Sequence, residues 1–494
     1  MQSKKAKPYR QNENIVENQE LSIWEALIPV IALVGMLAYN VYVFGEDAIS
    51  GSNQFILLLG GAVAAVVGFL NKASYKQMLA EVAENVKSTT GALIILLMVG
   101  ALAGTWLISG IIPAMIYYGL QILNPTIFLA ACVVICAIIS IATGSSWTTS
   151  ATVGIALIGI GDALGVSLGM TAGAALSGAY FGDKLSPLSD TTNLAPAMAG
   201  GELFGHIKYM TLTTIPTILV TFTVFIILGF TQDTSGTADI ATILNDIDAT
   251  FNINGWLFLV PLVVIFLIVK KTPPLVALLI GTLLGGVFAL IFQPGVVAGI
   301  TGNETLTFES AYKGVLNSIT LETTIATDNE ALTKLFSAKG MKGMLGTIWL
   351  IICAMVFGGV MDGIGALARI TKSLLGMAKT TFGLFASTVG SCLALNVTAS
   401  DQYLAIVVPG KMFSQAYKDR GLAPENLSRT LEDSGTVTSV LIPWNTCGAY
   451  HSSVLGVGVG EYMFFAIFNW LSPIMTLIFA GFKIKIKQLV TTTE

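Results

Sequence analysis

Charge is scarce in this sequence. Lysine, arginine, aspartate and glutamate make up 11% of its 494 residues, where a soluble domain carries about 25%. An ordinary water-soluble globule is thereby excluded. Histidine is nearly missing, with only His206 and His451, so no HExxH-type metal site and no Ser/His/Asp set can be assembled. An enzyme is therefore not expected, nor is a cofactor or a nucleic-acid partner. The five cysteines all fall in apolar stretches. Cys132 and Cys136 share a helical face, but no histidine or carboxylate joins them, so small core residues are expected rather than disulfides or ligands. Met1 to Glu20 has no apolar core and no small-residue cleavage site, and is expected to be a disordered cytoplasmic tail. Alternation at period two is also missing, which excludes a β-barrel.

What the chain has is long apolar runs. Hydrophobic residues make up 54%, and the mean hydropathy is +0.77. The predicted fold is an all-α polytopic membrane protein with about 12–14 hydrophobic segments, each a helix of roughly 17 to 25 residues. They cover 24–44, 54–70, 90–109, 126–142, 147–162, 168–198 (broken), 207–230, 255–270, 274–293, 343–361, 381–397, 401–417, 425–450 (broken) and 462–482. Threading them alternately from a cytoplasmic N-terminus puts nearly all lysines and arginines inside. Only Lys313, Lys334, Lys339 and Lys342 fall outside, all in one long loop, where the positive-inside rule is weak. Both termini are then cytoplasmic. The loop 294–342 is expected to be external and solvated, with a short amphipathic helix.

An internal repeat organises these spans. Ser74-Tyr75-Lys76 resembles Ala311-Tyr312-Lys313, and Ile95 through Gly110 matches Ile348 through Gly363. Thr143-Gly144-Ser145-Ser146 then falls on Asn396-Val397-Thr398-Ala399. A short gap places Leu176-Ser177 with Gly182-Asp183 on Leu427-Ser428 with Glu432-Asp433, and Asn193 near Asn445. The threading runs the matched spans in opposite directions. The predicted units are a tail 1–20, a first repeat 21–230, an external linker 231–252, an inverted second repeat 253–482 and a cytoplasmic tail 483–494. Inverted repeats with broken helices are the architecture of secondary transporters, with the substrate site near the midplane.

Four polar interruptions mark that site, since backbone and charge at membrane depth are tolerated only in protein or against a wet cavity. The first, around Gly144, Ser145 and Ser146, reads as a re-entrant hairpin or as a short loop between tilted spans. Its counterpart carries Thr398 and Asp401. The third is Gly182-Asp183-Lys184-Leu185-Ser186-Pro187-Leu188-Ser189-Asp190-Thr191-Thr192-Asn193, where Pro187 argues against a continuous helix. The fourth holds Glu432-Asp433 and then Pro443-Trp444-Asn445. Oxygen-rich unwound segments suit a hard monovalent cation. Asp183, Asp190 and Asp433 are the candidate titrating ligands of a transported cation, with Asp401 beside them. Ser145, Ser146, Thr191, Asn193, Thr398 and Asn445 would complete the oxygen shell. Lys184 and Arg429 are the basic residues left near the membrane core, and each would balance a carboxylate or hold an organic anion. Arg429 lies four residues before Asp433, so the two are expected to share a face. His451 is expected at an outer helix end, meeting water.

The run from Gly178 to Thr192 resembles the signature of NhaC-type sodium/proton antiporters. Gly144-Ser145-Ser146-Trp147 with Thr152-Val153-Gly154, and Leu441-Ile442-Pro443-Trp444-Asn445, are similar to the same family. The resemblance covers most of residues 21–482. It implies a carrier of the bacterial inner membrane, of the ion-transporter superfamily, whose partners are the lipid bilayer, the sodium ion and the proton, with a homodimer left open. The family also includes carriers of malate and lactate coupled to sodium and protons. Exchange of sodium for protons by alternating access is the first reading, and antiport of an organic anion or amino acid is the second.

Overall fold

The computed structural model describes residues 21–44, 48, 51–231, 240–327, 333 and 336–489. Residues 232–239 of the predicted linker, the tail 1–20 and residues 490–494 lie outside them. The first half contains α1 (Ile23–Phe44), α2 (Ser52–Leu70), α3 (Tyr75–Ile108), α4 (Ile111–Ile122), α5 (Pro125–Thr143), α6 (Ser146–Thr149), α7 (Ile155–Ala163), α8 (Leu168–Leu185), α9 (Asp190–Ala199) and α10 (Leu203–Thr231). Then come α11 (Ile240–Thr250), α12 (Leu259–Val269), α13 (Pro274–Phe292), α14 (Pro294–Gly299), α15 (Phe308–Thr320) and α16 (Gly340–Gly343). The second half continues with α17 (Leu345–Gly363), α18 (Ala366–Gly376), α19 (Thr381–Thr398), α20 (Gln402–Asp419), α21 (Pro424–Leu431), α22 (Thr446–Leu455), α23 (Val459–Tyr462) and α24 (Ile467–Gly481). A short antiparallel pair joins Thr323–Thr324 to Ser337–Ala338.

Among the described residues eight helices are long and apolar enough to cross a membrane, or nine if one bent pair counts as a span. The remaining predicted segments exist as short or broken helices. α5 shows how a membrane helix is used on both faces. Phe128, Cys132, Val133 and Cys136 are buried, while Ile127, Val134, Ile138 and Ile141 are 42–61% exposed at the lipid side. All five cysteines are free and buried.

The same series of landmarks appears twice, 256 residues apart. Left-handed turns fall at Gly144 and Ser400, Gly165 and Gly421, and Gly200 and Gly456. Ser145 and Asp401 cap the helices that follow the first pair, and Ser189 and Asn445 cap α9 and α22. The Ser140 hydroxyl donates to Ala179 O at 2.6 Å, and the Asn396 amide to Gly435 O at 2.8 Å. These landmarks revise the register of the sequence match. Asp183 falls opposite Ser439, and Asp433 opposite Ser177, so the two acidic motifs are not equivalent. Similar polar letters had slid past backbone features that composition does not reveal.

The segment 294–342 contains the expected short amphipathic helix, α15, but that helix is packed against the bundle. α15 buries Ser310, Gly314 and Ser318 and turns Phe308, Tyr312 and Leu316 outward. It packs on α3 so closely that a Cβ on Gly104 would lie 1.7 Å from Ser318 O. The C-terminal residues also fold back, with Ala423 N donating to Lys487 O at 3.0 Å and Leu489 N to Gly421 O at 2.7 Å.

Candidate functional site

Helix breaks position the site. α5 stops at Gly144, whose φ of 69° reverses the chain. Ser145 then caps α6 by accepting from Thr148 N at 3.2 Å. α8 ends where Pro187 removes a donor, and Ser189 restarts the chain as α9. In the second half α21 runs into a π-turn over Glu432–Thr436, and Asn445 caps α22 after a further break. π-turns are rare inside α-helices and gather at functional sites.

Asp183 and Lys184 sit in the last turn of α8 and point different ways, as neighbours on a helix must. The Asp183 carboxylate accepts from Ser146 N at 3.0 Å and Ser146 Oγ at 2.7 Å, at the start of α6. A helix N-terminus is a favourable place for an anion. Lys184 reaches into the second half and pairs with Asp433, both side chains being almost wholly buried. The other oxygen of Asp433 accepts from Thr213 Oγ1 at 2.9 Å on α10 and from the Thr476 hydroxyl on α24. Three elements therefore converge on a carboxylate carried by a fourth, the π-turn.

A cavity of about 540 Å³ opens beside this cluster. Asp183, Asp190, Asp401, Ser145 and Thr191 line it, together with Trp147 and Tyr403, and Lys271 stands at the same cavity. Three carboxylates against one lysine leave it electronegative, which suits a cation. Asp190 is exposed, at the first position of α9. Asp401 caps α20, its Oδ1 accepting from Tyr403 N at 2.9 Å and Leu404 N at 3.0 Å. Thr191 Oγ1 lies 3.2 Å from Ser189 Oγ. Of the predicted set, Ser146 and Asp433 sit behind the cavity wall, Ser146 bound to Asp183.

Three predicted side chains are engaged elsewhere. The Asn193 amide donates to Pro187 O at 3.0 Å and Ser189 O at 2.7 Å, closing the α8–α9 break. The Thr398 hydroxyl donates to Ala394 O at 2.8 Å within its own helix. Asn445 caps Cys447 N at 3.0 Å and donates to Asn396 O at 3.1 Å.

Arg429 does not meet Asp433. Its guanidinium lies over the Tyr209 ring, 4.6 Å from the centroid, and its three nitrogens have no hydrogen-bond partner among the described residues. The π-turn begins at Glu432, and i→i+5 winding breaks the i,i+4 alignment that the sequence suggested. His451 is also displaced from expectation. It is fully buried against the rings of Trp147, Tyr180 and Tyr450.

Sequence reasoning missed Thr213 and Thr476. A faint signal existed in α10, where Thr213, Thr217 and Thr221 form a buried polar stripe on an otherwise apolar helix. Glu432 was passed over within its motif; it is fully buried, and neither carboxyl oxygen has a hydrogen-bond partner among the described residues.

Comparison with known proteins follows the same lines. The model of the Na+/H+ antiporter family matches residues 178–484. The Na(+)/H(+) antiporter NhaC of Alkalihalophilus pseudofirmus is 37% identical over 417 residues, spanning 84% of this chain and 87% of that protein. An uncharacterized Na(+)/H(+) antiporter of Haemophilus influenzae is 34% identical over 468 residues, 94% of this chain and 97% of that one. The malate-2H(+)/Na(+)-lactate antiporter of Bacillus subtilis is 34% identical over 421 residues, 85% of this chain and 86% of that one.

Proposed function

The chain belongs to the Na+/H+ antiporter family, and we propose that it exchanges sodium ions for protons by alternating access, using Asp183 and Asp433 as its working carboxylates. The buried Lys184–Asp433 pair carries this reading. It joins the two halves of the chain immediately behind a cavity lined by Asp183, Asp190 and Asp401. Asp183 and its neighbours receive the cation. In the empty state Lys184, Thr213 and Thr476 occupy the oxygens of Asp433. A sodium ion reaching Asp433 competes with the lysine, so the ion and the internal cation occupy that carboxylate in turn. A carboxylate that takes either a proton or a cation suffices for exchange. Protons compete for the same oxygens, so apparent affinity for sodium rises with pH. Rocking of one half against the other then exposes the site to each side. No cofactor is required.

In this reading the protein is a multi-pass carrier of a bacterial inner membrane, with both termini cytoplasmic and the cavity facing the cytoplasm. One observation favours the second reading, antiport of an organic anion. The Arg429 guanidinium is buried without a hydrogen-bond partner among the described residues, the state an anion would satisfy. The deciding measurement is fluorescence dequenching in proteoliposomes, with sodium, lithium, potassium and malate each offered against a pH gradient. Dequenching by sodium alone or by sodium and lithium supports the first reading. A response that requires malate overturns it.

A further inference from the structure

The repeated landmarks make the two halves comparable position by position, and the comparison exposes an asymmetry. The far ends of the equivalent contacts are alike. A Cβ on Gly154 would meet Leu455 at 3.0 Å, and one on Gly410, 256 residues later, would meet Met198 at 2.7 Å. The near ends differ. Trp147 and Tyr403 are also 256 residues apart, each just inside the second arm of its hairpin, and both line the cavity. Trp147 is stacked on Tyr450, with ring centroids 3.9 Å apart and planes at 20°. The Tyr450 hydroxyl donates to Trp147 O at 3.0 Å. His451 and Tyr180 extend the layer behind it, fully buried. Tyr403 has no such cover and is 38% exposed. The first residues of α9 and α22 repeat the contrast, since Asp190 is exposed and its equivalent Thr446 is buried.

We propose that Trp147, Tyr450, His451 and Tyr180 form the closed outer gate of the transporter, and that Tyr403 is its open inner counterpart. In an inverted repeat each half can adopt the conformation of the other, and the second state of the carrier is that exchange. The outward-facing state then parts Trp147 from Tyr450 and lays Tyr403 over the start of α9. The polar atoms of the layer fit a contact that must also open. Both ring nitrogens of His451 have no hydrogen-bond partner among the described residues. Such atoms are costly when dry, and water entering the opened gate would satisfy them. A layer of stacked rings backed by unsatisfied polar atoms is sealed against a hydrated ion without being locked shut. The inference rests on the exchange reading only in requiring alternation.

Accessibility of the cavity tests it. Leu188 lines the cavity and is half-buried, and all five native cysteines are buried, so Leu188→Cys can report against the parent as blank. An impermeant thiol reagent is applied to right-side-out and to inverted membrane vesicles. The reporter should react from the cytoplasmic face and be protected from the outer face. Adding Tyr450→Ala should speed outer labelling several-fold. Tyr450→Phe, which keeps the stack and loses only the hydroxyl bond, should speed it less, and covers the case in which the alanine variant does not fold. Tyr403→Ala should leave outer labelling at the reporter's own rate. Outer labelling unchanged in both Tyr450 variants, or a reporter that reacts from outside as fast as from the cytoplasmic face with the gate intact, overturns the assignment. Sodium-driven proton movement by the parent is read separately in the same vesicles, so a failure of the exchange reading is not confused with a failure of the gate.

Discussion

Two charges held out of water at one point must compensate each other, because the desolvation of each is large and only partly offset by their attraction. Lys184 and Asp433 are in that position, and the Thr213 and Thr476 hydroxyls complete the carboxylate. Asp433→Asn keeps the shape and leaves the lysine unpaired. It should abolish sodium-dependent proton movement and cost about 3–5 kcal/mol of stability. Joint replacement by Lys184→Met and Asp433→Leu should restore most of the stability without restoring exchange, as thermal unfolding in detergent beside a transport assay would show. Full activity in Asp433→Asn would remove this carboxylate from the mechanism. Thr213→Val should cost about 1.5–3 kcal/mol in the interaction with the charged group, and Arg429→Ala, at a cation that does not meet Asp433, should spare cation selectivity. Stabilisation of the purified protein by malate, lost in Arg429→Ala and absent with sodium, would favour the anion reading instead. The carboxylates were legible in the sequence because a charge within an apolar stretch needs a reason. Thr213 was not, since a threonine in such a helix commonly satisfies itself on the preceding turn. Thr217 and Thr221 do so, donating to Thr213 O at 2.7 Å and Thr217 O at 2.8 Å.

At the level of elements the structure uses small residues where helices must touch. α15 meets α3 through Ser318 and Gly104, backbone against backbone. Gly104→Ala would bring its methyl to 1.7 Å from a carbonyl oxygen that belongs to backbone and cannot rotate away. A loss of at least about 1–3 kcal/mol is expected, read as a lower unfolding temperature with the hairpins around Gly144 and Ser400 intact. An unchanged unfolding temperature would mean that α15 does not pack there. The sequence read this segment as solvated because threonine, asparagine and glycine are common in water-exposed loops. Its helix is amphipathic in the sense a bilayer demands, with small polar residues inward and Phe308, Tyr312 and Leu316 outward. The hairpins were legible from their polar tips and short arms. The register between the halves was not, because backbone turns and caps fix it and different residues serve at equivalent places. Ser189 and Asn445 cap alike, and Gly144 and Ser400 turn alike.

The two halves of the molecule are tied to each other by polar bonds at several places. Lys184 to Asp433 crosses the interface, as do His206 Nδ1 to Ser428 Oγ at 2.8 Å and the Tyr209 hydroxyl to Asn426 Oδ1 at 2.6 Å. The landmarks establish likeness between the halves, and the lysine distribution orients them. If the orientation is inverted, any two exposed positions 256 residues apart lie on opposite faces of the membrane. Asp162 and Lys418 are such a pair, each exposed and each three residues before a left-handed glycine, Gly165 or Gly421. Their charges fit the positive-inside rule, the acid outside and the base inside. Asp162→Cys should therefore react with an impermeant thiol reagent in intact cells, while Lys418→Cys should react only once the membrane is opened or inverted. Asn303→Cys, in the exposed turn before α15, should behave like Asp162→Cys. Labelling of positions 162 and 418 from the same side would make the repeat parallel. A parallel repeat cannot turn the site from one face to the other by exchanging conformations between its halves, so the gate exchange proposed for this protein would fall with it.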